Sequence, residues 1–364
     1  MHQAVAVPVS TREAARRAAG FLLAALLSPL LSMPCAAGDA APVPAYHLAA
    51  RYALGGTDRG YDYLLVDGPD RRLFVTHGGR VEVLDADSGA RIGQIGDLAG
   101  AHGVEIVAPL HRAFVTSGVD RTVVMFDPAT LQVIKRIRYL GEKPDALQYD
   151  PSSGMLFVVN GGATGDVSVI DPASGAIVDT IALGGGKLEE IAFDGRGRGF
   201  VNDEEHSVIH VIDSHTHRLV ADWPLAPAEA PTGLAIDLKR HRLFAACGNG
   251  LLAIVDADSG KLLGTAAIGP EPDGAAFDPR TGRVFTSNRD ATMTVVGQNA
   301  AGAYVPLQTV KTESGARTIA VDESTGRLFL PAARFGPTPA PTPAVPEPRP
   351  PLIPESFAIV VVAP

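Results

Sequence analysis

The chain has few of the features that support binding to nucleic acid or crossing a membrane. Lys and Arg number 31 against 40 Asp and Glu, which gives a formal net charge of −9 without a basic stripe. Phosphate binding needs a clustered excess of cations, so we expect no nucleic-acid partner. Aromatic residues make up 6% of the chain, with one Trp, which leaves little for stacking on bases. We also expect no membrane span, because the apolar run at 21–33 is shorter than the roughly 20 residues that cross a bilayer.

Cysteine and the common catalytic motifs are scarce too. The chain has two cysteines, Cys35 and Cys247, and Cys35 falls in a segment that we expect to be removed. With one thiol left, no internal disulfide can form, and Cys247 is expected to be a small buried apolar residue. The sequence contains no Cys-x-x-Cys-His, Gly-x-Ser-x-Gly, P-loop or His-Glu-x-x-His motif. Covalent haem, nucleophile-elbow and nucleotide-driven chemistry therefore lack support.

The first 37 residues have the pattern of a signal peptide. Arg12, Arg16 and Arg17 precede the apolar run at 21–33, and small residues follow it at 34–38. A positive segment, a short apolar segment and a small-residue cleavage site in this order direct export. We predict a signal peptide over 1–37, cleavage after Ala37, a periplasmic or secreted protein, and one mature domain over 38–364. Whether the twin-arginine or the general route is used stays open.

Seven repeats fill that domain. Each has a strand-like segment with a Phe, and successive Phe residues are 40 to 44 residues apart. The seven are Phe74, Phe114, Phe157, Phe200, Phe244, Phe285 and Phe329. An apolar stretch that mostly ends in Asp precedes this segment, and a third and a fourth stretch follow, with Asp-Pro and Ser-Gly turns between them. Four short strands per period of this length predict an all-β fold, a seven-bladed β-propeller of four-stranded antiparallel blades.

The seventh repeat lacks its last strand. It has an inner strand at 317–322, a second at 327–332 and a third at 357–363, after which the chain ends. The segment at 46–54 comes before the first full repeat and has no other partner. We therefore predict that this N-terminal strand completes the last blade and closes the ring, which removes two open sheet edges.

The repeat resembles that of a known family. The Phe-Val-x-Asn strand, the Val-Ile-Asp-x-x-(Ser/Thr)-Gly turn and the export signal are similar to those of the YncE family of periplasmic YVTN-repeat propellers. The unit at 156–184 is closest to the pattern, whereas the sixth repeat lacks the Asp and the seventh has a long insertion. Related propellers include binding modules, lactone hydrolases and electron-transfer enzymes, so the resemblance implies the fold and no single activity.

One face of the propeller is expected to carry the function. The turns after strands one and three are short and uniform, whereas the connections after strands two and four vary, and binding residues concentrate on variable loops. On that face, the residue five before the turn Asp recurs as Asp62, His102, Asp145, Glu189, Thr232, Asp273 and Arg317. We call these seven positions the rim. Their side chains could hold a polar ligand or a divalent cation, or could only form a solvated edge. We expect the four rim carboxylates to repel one another.

A further acidic residue, Glu105, is expected inside the channel. It stands where other repeats have Ala, so its carboxylate needs a partner or a raised pKa. Gln148 in the next blade is the expected hydrogen-bond partner.

The His-rich segments at 202–210 and 215–217 are interpreted as exposed loops rather than metal sites.

The proline-rich segment at 336–356 contains nine prolines between two strands of the last blade, which favours a polyproline II arm. It is expected on the variable face, where it could cover the channel mouth, dock to a partner or be a tolerated insertion.

Two functions stay open at this point. The first is a non-catalytic, monomeric binding module that holds a protein or a small polar ligand on the variable face and needs no cofactor. The alternative is a metal-assisted hydrolase of the lactone or ester type, with rim carboxylates as ligands of a divalent cation. A structural protein of the cell envelope is a third, weaker hypothesis.

Overall fold

A computed structural model describes residues 45–58, 60–138, 141–343 and 345–364 of the chain. The signal peptide predicted at 1–37 and Cys35 lie outside the described residues, so export stays a prediction. Of the described residues, none belongs to a helix long and apolar enough to cross a membrane.

The described chain forms seven four-stranded antiparallel sheets, which confirms the predicted seven-bladed β-propeller. The N-terminal strand is β1 (His47–Ala53). Blade 1 consists of β2 (Tyr61–Asp67), β3 (Arg72–His77), β4 (Arg80–Asp85) and β5 (Arg91–Ile95). Blade 2 consists of β6 (Ala101–Val107), β7 (Arg112–Ser117), β8 (Thr122–Phe126) and β9 (Val133–Arg138), with a single 3₁₀ turn at Ala108–Leu110.

The next three blades repeat this order. Blade 3 consists of β10 (Pro144–Asp150), β11 (Met155–Asn160), β12 (Asp166–Asp171) and β13 (Ala176–Ala182). Blade 4 consists of β14 (Leu188–Phe193), β15 (Arg198–Asp203), β16 (Val208–Asp213) and β17 (Arg218–Pro224). Blade 5 consists of β18 (Pro231–Asp237), β19 (Arg242–Cys247), β20 (Leu251–Asp256) and β21 (Leu262–Ala267).

The last two blades differ in how they are completed. Blade 6 consists of β22 (Pro272–Asp278), β23 (Arg283–Asn288), β24 (Thr292–Gln298) and β25 (Tyr304–Lys311). Blade 7 consists of β26 (Ala320–Val321), β27 (Leu328–Ala332) and β28 (Ala358–Ala363), and β1 pairs with β28 as its fourth strand. The predicted closure by the N-terminal strand is therefore confirmed.

Apolar packing between neighbouring blades forms the core. Among the described residues, seven apolar clusters lie one at each junction of adjacent blades. The seven repeat Phe side chains are all fully buried. Because each blade is only one sheet thick, it can bury its two faces only against its two neighbours.

The closing strand also contacts both blades next to blade 7. The Tyr46 ring meets the Phe285 ring of blade 6 edge to face, with 5.0 Å between centroids. On the other side, the Tyr52 hydroxyl donates to the Asp87 carbonyl oxygen of blade 1 at 2.9 Å. The Tyr52 ring lies so close to Gly89, whose φ is +72°, that a Cβ there would come within 2.2 Å of the ring. A single strand therefore links three blades.

The inner strand of blade 7 is shorter than predicted. Only Ala320 and Val321 form β26, whereas a strand over 317–322 was expected. The Pro331 carbonyl accepts a hydrogen bond from the Arg317 N–H at 3.3 Å, so Pro331 lies opposite Arg317. Because proline has no N–H, it cannot donate the second hydrogen bond of this residue pair. The regular pairing of the two strands therefore ends before Arg317.

Replacing Tyr52 with alanine should destabilise the whole ring. Tyr52 is 9% exposed, and truncating a buried aromatic side chain typically costs about 3 kcal/mol or more. The melting temperature, followed by circular dichroism, should fall by several degrees. Leu48→Ala is the control, because Leu48 lies on the same strand and is 50% exposed. Equal melting temperatures for the two variants would contradict the role given to the closing strand.

Candidate functional site

The rim positions line one pocket at the channel mouth. The pocket has a volume of about 550 Å³ and is lined by all seven, together with residues of the surrounding loops. In blades 1 to 6 the rim residue is the second residue of the inner strand. In each of these strands the register shifts just after the first residue. Such bulges re-aim side chains, and here they lie at the mouth in six consecutive blades.

Rim residues from three consecutive blades meet at one point. The His102 Nδ1 lies 2.7 Å from Asp62 Oδ2 and 3.5 Å from Asp145 Oδ1. Burial opposes the charged imidazole, but the hydrogen bond to Asp62 and the charges of Asp145 and Asp62 outweigh it, so the pKa of His102 is raised. At Asp62, burial raises the pKa, but the hydrogen bond with His102 and the charges of Arg317, His102 and Lys143 together outweigh it, so the pKa of that carboxyl group is lowered. His102 and Asp62 therefore form an ion pair beside Asp145.

Two lysines that the sequence analysis missed reach the rim carboxylates. The Lys143 Nζ lies 3.3 Å from Asp145, and the Lys187 Nζ lies 2.9 Å from Glu189. Lys187 also pairs with Glu204 from the loop between strands two and three of blade 4. Each lysine precedes its rim residue by two positions, in the connection just before the inner strand. That spacing is the signal that could have identified them.

Arginines neutralise the other side of the mouth. Arg317 pairs with Asp273, and Arg289 lies 2.8 Å from Glu271. The expected picture of four mutually repelling carboxylates is therefore wrong in part, because each has a cationic partner. Repulsion between carboxylates still contributes to the raised pKa values of Asp145 and Glu189.

Asp145 and Glu189 are the two rim carboxyl groups whose pKa stays raised although each has a lysine partner. Burial and the charge of Asp62 raise the pKa of Asp145 above its ordinary value. Burial raises the pKa of Glu189 to about 8; the charge of Lys187 lowers this pKa without cancelling the effect of burial, and the charge of Asp145 adds a smaller rise. A mouth with unsatisfied acids of this kind is a candidate binding site.

Thr232 is the rim position with a structural role. Its hydroxyl donates to the Pro272 carbonyl at 2.7 Å, which fixes the start of the next inner strand. It thus joins blade 5 to blade 6.

Below the rim, a smaller cavity of about 140 Å³ contains the predicted channel residue Glu105. The expected partner is not the one observed. The Tyr149 backbone N–H donates to Glu105 Oε1 at 3.4 Å, while the Gln148 Oε1 is buried without a hydrogen-bond partner among the described residues. Burial raises the pKa of Glu105 to about 8.

Glu190 is a second channel acid, which the sequence analysis missed. Its Oε2 accepts the Leu234 N–H at 2.7 Å, and burial raises its pKa to about 8. Two consecutive glutamates in an otherwise apolar inner strand were the available signal. Both channel acids thus accept a backbone N–H of the next blade, which ties neighbouring inner strands together.

The other singled-out residues lie away from the mouth or are already paired. His206 and His210 both contact Asp203, at 2.7 and 3.1 Å, and His217 lies 3.2 Å from Asp179. Cys247 is fully buried, and burial raises the pKa of its thiol to about 12, so it is unreactive, as expected.

The proline-rich insertion reaches the mouth. Its two ends pair, because Phe335 bridges Leu352 and the Gly336 N–H donates to the Pro351 carbonyl at 2.8 Å. Between them, Arg349 lines the rim pocket. The segment therefore lies beside the channel mouth, and docking to a partner stays a prediction.

Comparisons with known proteins bear on the fold alone. No protein-family model and no curated protein matches the chain, so the likeness to the YncE family stays a resemblance. The structure is similar to a solved structure titled Kuenenia stuttgartiensis Hydrazine Synthase, with a TM-score of 0.65 and 15% identity over 77% of this chain and 93% of that chain. The shared fold is the β-propeller. In all, 1828 solved chains match, so this likeness selects no activity.

Replacing Glu190 with glutamine should change how stability depends on pH. The pKa of Glu190 rises from 4.5 to about 8 on folding. As the pH increases from 4.5 to 8, the unfolded chain loses this proton while the native state keeps it, so the native state becomes less stable over this range. Glutamine keeps an acceptor for the Leu234 N–H without that loss. The variant should melt about 2–4 °C higher than the unmodified protein near pH 9 and together with it near pH 4.

The matched control is Glu205→Gln, an exposed acid in the loop after β15. Its melting temperature should follow the unmodified protein at both pH values. A Glu190→Gln variant that also follows it near pH 9 would show that Glu190 is ionised there at no cost.

Proposed function

We propose that the protein is an exported, non-catalytic binding module whose channel mouth holds a small polar ligand with a cationic group. The observation that carries this proposal is the pair Asp145 and Glu189, one buried and one half-buried carboxyl group with raised pKa in one open pocket. Export itself rests on the signal-peptide pattern at 1–37.

A cationic group on the ligand would bring further positive charge to Asp145 and Glu189. Both are held toward their neutral forms by burial, and the cations already present do not reverse this. A guanidinium or ammonium group near them would favour the ionised forms and gain charge-assisted hydrogen bonds. The volume of about 550 Å³ falls in the range of small-ligand pockets.

The polar groups of the rim are mostly engaged already. Its carboxylates, its imidazole and Arg317 form ion pairs with each other or with the neighbouring lysines, and its one hydroxyl, that of Thr232, donates to the Pro272 carbonyl. Paired charges of alternating sign suit recognition of a polar molecule through several directed contacts.

Affinity for a guanidinium compound should rise with pH. Agmatine keeps its guanidinium charged across the range, whereas Glu189 ionises only as the pH approaches about 8. Isothermal titration calorimetry should give tighter binding near pH 9 than near pH 6, by up to about tenfold for each pH unit below the pKa. Glu189→Gln should bind more weakly and remove this slope.

Glu205→Gln is the matched control, because it makes the same change outside the pocket. It should reproduce the affinity and the slope of the unmodified protein. A pH-independent affinity, or an unchanged slope in Glu189→Gln, would contradict the proposal.

The alternative, a metal-assisted hydrolase, has one specific observation in its favour. Of the described residues, Asp62, His102 and Asp145 form a group whose ligand atoms lie within 4.8 Å of one another. Two carboxylates and an imidazole can bind zinc or a similar divalent ion and leave positions open for water and a carbonyl group. Against it, His102 holds its proton more strongly than usual, and a metal must displace that proton.

Metal analysis separates the two functions. The binding-module proposal expects purified mature protein without stoichiometric metal and with a melting temperature unaffected by a chelator. A stoichiometric metal that is lost in His102→Ala but kept in the loop variant His206→Ala would support the hydrolase instead.

A further inference from the structure

A second, larger cavity continues from the rim pocket. This cavity, which we call the groove, has a volume of about 980 Å³. It shares with the rim pocket Asp62, His102, Asp273, Arg289, Arg317 and Arg349. The groove is therefore an extension of the same mouth, toward blade 7 and the proline-rich insertion.

One wall of the groove is apolar. Tyr61, Ala101 and Ala316 line it and are 3–4% exposed in the folded chain. The Tyr61 ring stacks on Phe335 with 6.4 Å between centroids. Since the Tyr61 hydroxyl donates to the Gly315 carbonyl at 2.6 Å, its polar end is already satisfied. The side chains on this wall thus suit an apolar group.

The rest of the groove lining carries one more positive than negative charge. Three arginines belong to it, and two of them are paired, Arg317 with Asp273 and Arg289 with Glu271. The third, Arg349, is exposed and has no hydrogen bond or ion pair with the described residues. Asp62, which also lines the groove, is paired with His102. Arg349 is thus the cation left for a ligand.

We propose that the groove binds an amphipathic organic carboxylate, with the carboxylate on Arg349 and the apolar body against Tyr61 and Phe335. The inference rests on the proposed function in one respect, because it takes the channel mouth as the binding face. It adds that the part of the ligand in the groove has a carboxylate and an apolar body.

The geometry of guanidinium favours this class. A planar guanidinium matches a carboxylate with two parallel hydrogen bonds. Apolar side chains and a single free cation in the lining of one cavity select molecules that have both an anionic end and a hydrocarbon body. The volume of the groove is at the upper end of the range for small-molecule sites.

The insertion supplies the deciding residue. Arg349 belongs to the proline-rich segment, whose paired ends at Phe335 and Leu352 fix it beside the mouth. Prolines restrict the backbone and lower the entropy lost when the segment holds a ligand. This assigns the insertion a binding role.

The test compares 4-phenylbutyrate with 4-phenylbutan-1-ol. Both have a phenyl ring on a four-carbon chain, which ends in a carboxylate in the first and in a hydroxyl group in the second. By isothermal titration calorimetry, the full mature protein should bind the carboxylate at least about tenfold more tightly than the alcohol. Arg349→Gln should bring the carboxylate to the level of the alcohol. Lys239→Gln, which removes an exposed cation from the turn on the opposite face, is the matched control and should change neither affinity.

A second variant tests the space itself. Gly60 lines the groove, and a Cβ there would meet nothing closer than 3.8 Å. Gly60→Leu should therefore fold and should weaken the binding of both compounds.

Three results would each overturn the inference: equal affinity for the two compounds in the unmodified protein, no measurable binding of the carboxylate, or an unchanged affinity for the carboxylate in Arg349→Gln. If agmatine still binds as proposed while the carboxylate does not, the groove assignment fails alone. If the carboxylate binds and agmatine does not, the proposed function fails.

Discussion

The pairing of β1 with β28 is the contact on which the rest of the structure depends. Each blade is a single sheet and buries its faces only against its neighbours, so an open ring would leave two apolar faces and two sheet edges in water. By completing blade 7 and packing Tyr46 on blade 6 and Tyr52 on blade 1, the N-terminal strand gives every blade two partners. The absence of a disulfide among the described residues makes this packing more important.

Ring closure also produces the site. Asp62, His102 and Asp145 are about one repeat apart in the chain, yet they meet because inner strands of adjacent blades start side by side at the mouth. Bringing carboxyl groups together in a partly buried space is unfavourable, which the raised pKa of Asp145 and Glu189 records. Proteins commonly keep such unfavourable arrangements where they bind ligands.

The mouth divides into two regions of different chemistry. On the side of blades 3 and 4, the pKa values of Asp145 and Glu189 stay raised although each has a lysine partner. Beside blade 7, Arg349 has no negative partner among the described residues. A ligand with opposite charges at its two ends would complement both regions. The propeller scaffold alone would not produce this asymmetry; it comes from a few side chains and one insertion.

The sequence by itself determined the repeat, the number of blades and the closing strand, because the Phe residues and the Asp-Pro and Ser-Gly turns recur at a fixed period and report local structure directly. It also placed the seven rim residues, since counting back from each turn Asp follows the strand geometry. Only the tertiary structure decided which charges pair. Lys143 and Lys187 lie in variable connections, Pro331 shortens β26 through a missing N–H, and Arg349 reaches the mouth because Phe335 and Leu352 bring the ends of the insertion together. The pairs of Asp62 with His102 and of Asp273 with Arg317 join different blades, so they depend on contacts between residues far apart in the chain, which no local pattern encodes.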